Sequence, residues 1–193
     1  MNDSPQLQPP GAGLPRIELA GARVLLGVQR RFVSLEKSTR LFQKERAELL
    51  RLARSCGAGD GARPVLIRRL VGMEDSSRNW SVFMTLHHLQ IVNAAFTGII
   101  KSLCNDVEVE GVASTADVKP DPATDASMIE QFDQTCAEYV SVVNECGDLR
   151  SRLTFLHPWF GEMNALGWHT LAAIHMSIHR KQVELILAGS TVG

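Results

Sequence analysis

The chain has 193 residues, 45% of them hydrophobic and 21% charged, which excludes a disordered polymer and suffices for a core without disulfide or metal staples. Twenty Lys and Arg against 21 Asp and Glu give a formal charge of −1, which argues against a nucleic-acid partner, and no apolar run is long enough to span a membrane. Four cysteines without CxxC spacing, and a start (residues 1–14) with neither a basic nor an apolar signal region, read as a cytoplasmic chain with free thiols.

Residues 1–15 hold four of the eight prolines and are expected to form a flexible tail before a single domain at 16–189. A first helix is predicted from Ile17. Leu25, Val28, Phe32, Leu35, Phe42, Leu49 and Ala53 recur at spacings of three, four or seven, and no proline interrupts residues 16–56. Glycine and proline in GAGDGARP then end it. Residues 65–77 are ambiguous between a short helix and a loop covering one end of a bundle. A second helix is expected from about Ser77–Trp80, capped by Ser77 or Asn79, to about Cys104.

Residues 105–123 read as an acidic loop with a short extended piece at Val107–Val109. Ser127 and Glu130 have the spacing of a capping box for a third helix, whose stripe is Ile129, Phe132, Cys136, Tyr139, Val143 and Cys146. The two cysteines on that stripe are expected to be inert core thiols. Residues 150–163 form an apolar loop, and Asn164 caps a fourth helix to about Leu187, ended by Gly189. Four long helices without a strand pattern predict an all-α, up-down four-helix bundle.

Charge is uneven along this chain. Thirteen basic and five acidic residues lie between Arg16 and Leu70, a net of +8. Eleven acidic residues and one lysine lie between Asn105 and Asp148, a net of −10. Pairing of the two regions, side by side or across a homodimer, is preferred to an anion-attracting face.

The histidines are the informative residues. His175 and His179 are spaced i, i+4, which stacks two imidazoles on one helical face within joint reach of one ion. That face also carries Trp168, Leu171, Ala172, Ile178 and Ile186, so both must be hydrogen-bonded or ligated. Residue 176 is Met, so the H-E-x-x-H metalloprotease helix is absent. A third imidazole is expected from the second helix, where His88 shares a stripe with Met84, Ile91, Ala95 and Ile99. Its neighbour His87 lies beside Phe83 and Ala94, and periodicity does not decide between them.

Asn79-Trp80 eight residues before His88-Leu89, then HPWFGEMN, Trp168, and His175-x-x-x-His179 with Gln182, resembles the DinB-like superfamily, in the branch that carries HPxFG. The resemblance covers about Trp80 to Leu187. It implies a four-helix bundle whose divalent metal, Zn or Ni, is held by His88, His175 and His179, with His88 chosen over His87. It further implies a thiol-dependent S-transferase or isomerase using mycothiol or bacillithiol, or a hydrolase, acting on a small molecule. The alternative is a non-catalytic, stress-related metal-binding bundle acting as a homodimer. His157 is expected to be a loop histidine placed by Pro158 rather than a group at the pocket mouth. His169 is expected at the surface, Trp159 and Phe160 in a lid or the core, and Arg180 and Lys181 in solvent. Glu162 and Glu184 are expected away from the ligand face, leaving no evident general base.

Overall fold

The computed structural model describes residues 6–32 and 34–190, except for the side chains of residues 25, 26, 28–32 and 190. Its helices are α1 (Arg16–Phe32), α2 (Leu35–Ser55), α3 (Ala58–Ala62), α4 (Val82–Cys104), α5 (Met128–Cys146) and α6 (Ala165–Ser190). Two short antiparallel pairs accompany them, β1 (Val65–Leu66) with β2 (Asn79–Trp80) and β3 (Phe155–His157) with β4 (Gly161–Met163).

The four long helices α2, α4, α5 and α6 make the expected four-helix bundle, but with an up-down-down-up course rather than the expected up-down order. Thr39 meets His169 and Glu45 meets Arg180, so α2 and α6 run in the same direction. Phe96 against Trp168, and Arg46 against Asp133, set α4 and α5 the other way. The long connection 105–127 carries the chain back so that α5 can follow the direction of α4. Phe42, Phe83, Phe132, Tyr139 and Trp168 are fully buried between the helices, and Phe42 stacks on Tyr139 at 4.4 Å. The basic and acidic regions meet within the chain: Arg46 and Arg54 of α2 pair with Asp133 and Glu130 of α5. Among the described residues no helix is long and apolar enough to cross a membrane.

Several local expectations are corrected. The first helix is two helices, because Ser34 leaves helical geometry (φ −89°, ψ 153°) and its hydroxyl accepts the Lys37 N–H, capping α2. The side chains of Leu25, Val28 and Phe32 lie outside the described residues, whereas Phe42, Leu49 and Ala53 are buried as expected. The cap of α4 is Ser81, not Ser77 or Asn79, since Asn79 and Trp80 are drawn into pairing with Leu66 and Val65. Ser127 is itself helical and makes no cap bond; the Asp125 carboxylate accepts its N–H instead. Residues 107–109 lie within a loop, as expected, and belong to no assigned strand. Residues 155–163 form a hairpin rather than a plain loop, closed by a three-residue turn after which Gly161 takes φ +77°. Asn164 caps α6 as expected, accepting the Gly167 N–H, but the helix continues through Gly189.

Cys136 is buried, and burial pushes its thiol up to about 12. Cys104, beside a half-buried Cys146, is pushed up to about 12 by burial and by the thiol–thiol contact. Neither is a thiolate at neutral pH.

Gly61 gives a sharp packing test. A Cβ there would lie 2.3 Å from the ring of buried Phe83. Gly61→Ala therefore displaces a core ring, and the expected cost is about 1–3 kcal/mol. Urea unfolding should show a lower midpoint at unchanged slope. An unchanged midpoint would mean that α3 simply moves away.

Candidate metal centre

The centre is built where α4 and α6 face each other. His175 and His179 lie one turn apart on α6, and His88 projects from α4, nearly fully buried at 7% exposure. One ligand atom of each lies within 4.8 Å of the others. The Nε2 of His175 is 3.2 Å from that of His88 and 2.9 Å from that of His179.

Their outer nitrogens fix two of the three tautomers. His88 Nδ1 lies 2.7 Å from the Val118 carbonyl, which can only accept, so the proton is on Nδ1. His179 Nδ1 lies 2.6 Å from Gln182 Oε1, and Gln182 Nε2 donates to the Ser77 carbonyl at 2.7 Å. That second bond fixes the amide orientation, so His179 is also protonated at Nδ1. The Nε2 atoms of His88 and His179 therefore present lone pairs to His175. A proton on His175 Nε2 can serve one of them and leaves the other opposed. Its Nδ1 is buried with no partner in either case.

Hydrogen bonding within the triad is thus short of protons, whereas a cation satisfies all three lone pairs together. Ligand bonds of about 2.0–2.1 Å in tetrahedral geometry place nitrogens about 3.3 Å apart, close to the spacing seen here. The carbonyl and amide-oxygen partners are those that orient metal-binding imidazoles. These residues fit a divalent ion.

The electrostatics agree. Burial holds His88 and His175 well below the usual imidazole range and brings His179 down to about 4. All three are neutral at pH 7, the form that binds metal. Trp80, from β2, lines the rear of the site, 5.0 Å from the His88 ring and nearly parallel to His179 at 6.1 Å.

The triad opens into a cavity of about 580 Å³, walled mainly by apolar groups of α4, α6, the β3–β4 hairpin and the 109–119 segment. Val71 and Val112 stand exposed beside it. His157 is in this wall rather than in a loop apart from the site, because the hairpin turns its ring towards Trp168 at 5.4 Å. Its Nδ1 accepts the Trp159 N–H, and burial lowers it to about 4. Trp159 and Phe160 line the same cavity.

Other expectations change or stand as follows. His87 turns from the triad, and its Nδ1 accepts the Asp121 N–H at 3.0 Å. His169 is fully buried, not at the surface, and bonds to Tyr139 and Thr39, because α6 is covered on that side by α2 and α5. Arg180 is not solvated: it pairs with buried Glu45 and with Glu184. Lys181 is exposed as expected, and Glu162 is bonded to Thr154. Sequence reasoning missed Glu74, Lys119 and the Val118 and Ser77 carbonyls. The carbonyls carry no sequence signal, and Glu74 lay in a segment without clear periodicity.

No family model matches the chain, and no curated protein matches it. A crystal structure described as TT2238, a four-helix bundle protein, aligns with 78% of this chain and 98% of its own, at 21% identity and a TM-score of 0.57. The likeness is one of fold.

Proposed function

We propose that the chain is a metal-dependent enzyme of the DinB-like superfamily acting on a small molecule with an apolar body. The observation that carries this reading is the convergence of three neutral imidazoles, two with fixed tautomers, at one end of an apolar cavity. A divalent ion such as Zn or Ni, held by three histidines with coordination positions left over, supplies Lewis acidity and lowers the pKa of a thiol or water that reaches it. The chain's own groups hold the apolar part of the substrate against the hairpin rings and keep water from it. Glu162 and Glu184 are engaged elsewhere, by Thr154 and Arg180, and neither supplies a general base. Thiol transfer or isomerisation is the reaction class that the DinB-like resemblance implies.

Protein purified without a metal-affinity tag should contain about one divalent ion per chain by elemental analysis, the stoichiometry of a single three-histidine site. The loaded protein is then assayed with mycothiol or bacillithiol and an electrophile, monochlorobimane or maleylpyruvate. Turnover supports the transferase reading. An ion without turnover across these thiols favours a non-catalytic metal-binding bundle, and an ion-free chain that takes up no added metal removes both.

A further inference from the structure

Glu74 lies in the loop between β1 and β2, 7% exposed, and gathers donors from three stretches of chain. Its Oε1 accepts from Gly13 N at 3.3 Å and Thr115 Oγ1 at 3.1 Å. Its Oε2 accepts from Gly11 N at 3.3 Å, Ser76 Oγ at 3.2 Å and Lys119 Nζ at 3.5 Å. Gly11 and Gly13 both take φ +81°, a backbone region that favours glycine. One buried carboxylate thus joins residues 11–13, the 74–76 turn and the 115–119 segment.

The 115–119 segment also carries the Val118 carbonyl that accepts the His88 proton, and it walls the cavity. We propose that Glu74 is a positioning residue for the metal centre, acting through this strap, so that ion binding and strap closure are one equilibrium; this rests on the metal reading above. With an ion present, His88 keeps its proton on Nδ1 and holds Val118. The ion needs the His88 Nε2 lone pair, which stays free while Nδ1 donates to the Val118 carbonyl, and Glu74, through Thr115 and Lys119, holds the strap that carries this carbonyl. Anchoring the strap therefore favours the His88 tautomer that binds metal.

The test measures Co²⁺ affinity by chelator competition, the visible absorption of bound Co²⁺, and amide hydrogen exchange of 115–119 in the full chain. In the wild type, Co²⁺ at about ten times its Kd should slow exchange of the strap about tenfold. Glu74→Gln removes the charge that holds Lys119; it should weaken Co²⁺ binding about 10–100-fold, the usual effect of losing outer-shell support, and alter the absorption spectrum. Lys119→Met keeps the aliphatic stem near Trp80 while cutting one anchor, and should move both readouts in the same direction by a smaller factor. It decides the matter if Glu74→Gln does not fold. The inference is overturned if either folded variant speeds strap exchange yet binds Co²⁺ with wild-type affinity and spectrum, which leaves the metal centre intact. A wild type that binds no Co²⁺ would instead remove the metal reading itself.

Discussion

His88→Ala will empty the metal centre, and His87→Ala will not. The two residues are neighbours on α4, yet one Nε2 lies 3.2 Å from His175 while the other ring holds the Asp121 N–H. Structural zinc sites gather about 10–16 kcal/mol from four ligands, so one imidazole contributes roughly 3 kcal/mol, or about a hundredfold in affinity. Dialysed against a chelator that leaves the wild type about nine-tenths loaded, His88→Ala should keep about a tenth of an ion per chain or less, as a hundredfold loss of affinity implies. His87→Ala should stay near one ion, with a loss of only a few-fold because Asp121 tethers the far end of the strap. Equal loss in both variants would show that the strap, and not His88 itself, governs binding.

His175→Ala isolates the ion from the fold. The His175 Nδ1 has no partner, and its Nε2 faces two lone pairs, so the metal-free protein gives up little with this ring. Metal-free His175→Ala should accordingly unfold within about 1 kcal/mol of the metal-free wild type. Added ion at about a thousand times the wild-type Kd should stabilise the wild type by about 4 kcal/mol and the variant, binding about a hundredfold more weakly, by only about 1.4 kcal/mol. Thermal or urea unfolding with and without metal gives all four values. A large metal-free loss would assign the ring a packing role instead.

Legibility in the sequence followed what side chains alone can encode. The i, i+4 spacing of His175 and His179 on an apolar stripe was enough to aim both at one point, and the DinB-like pattern around Trp80 chose His88. The same stripe argument failed for His169. An angle off the stripe means solvent only when one face of a helix is covered, and α6 is covered by α4 on one side and by α2 and α5 on another. The α1–α2 break was hidden because apolar periodicity counts side chains, while the chain turns where the Ser34 hydroxyl accepts the Lys37 N–H. The outer partners of the triad, Val118 and Ser77, act through carbonyls that every residue has. The five donors around Glu74 come from stretches up to 63 residues away, a convergence that only the folded chain creates.

Acid should unfold the metal-free protein near pH 5, well above the range where carboxylates protonate. His157, His169 and His179 are held by burial at about 4 in the folded state, against 6.5 for an unperturbed imidazole. His88 and His175 are lowered in the same way. Because the folded pKa is depressed, the unfolded chain binds the extra protons, so stability is complete above 6.5 and falls as pH drops towards 4. Each such group steepens the loss by roughly 1.4 kcal/mol per pH unit within that window. Three of them acting from pH 6 to pH 4.5 remove about 6 kcal/mol, comparable to the whole stability of many domains. Glu18 and Asp75, held low by hydrogen bonds from Arg69 and from the Gln8 N–H, add their loss from the ordinary carboxylate range, 4.5 for Glu18 and 3.8 for Asp75, downward. Bound metal keeps the triad unprotonated and should move the transition to lower pH. His169→Gln separates the metal-free effect from the triad, because the His169 ring bonds to Tyr139 and Thr39 and to no triad member among the described residues. Its urea-derived stability, followed from pH 6.5 to 4.5 with chelator present, should fall less steeply than the wild type by roughly 1.4 kcal/mol per pH unit. Parallel slopes would mean that His169 takes up a proton inside the folded bundle, with the Tyr139 hydroxyl turning to accept it.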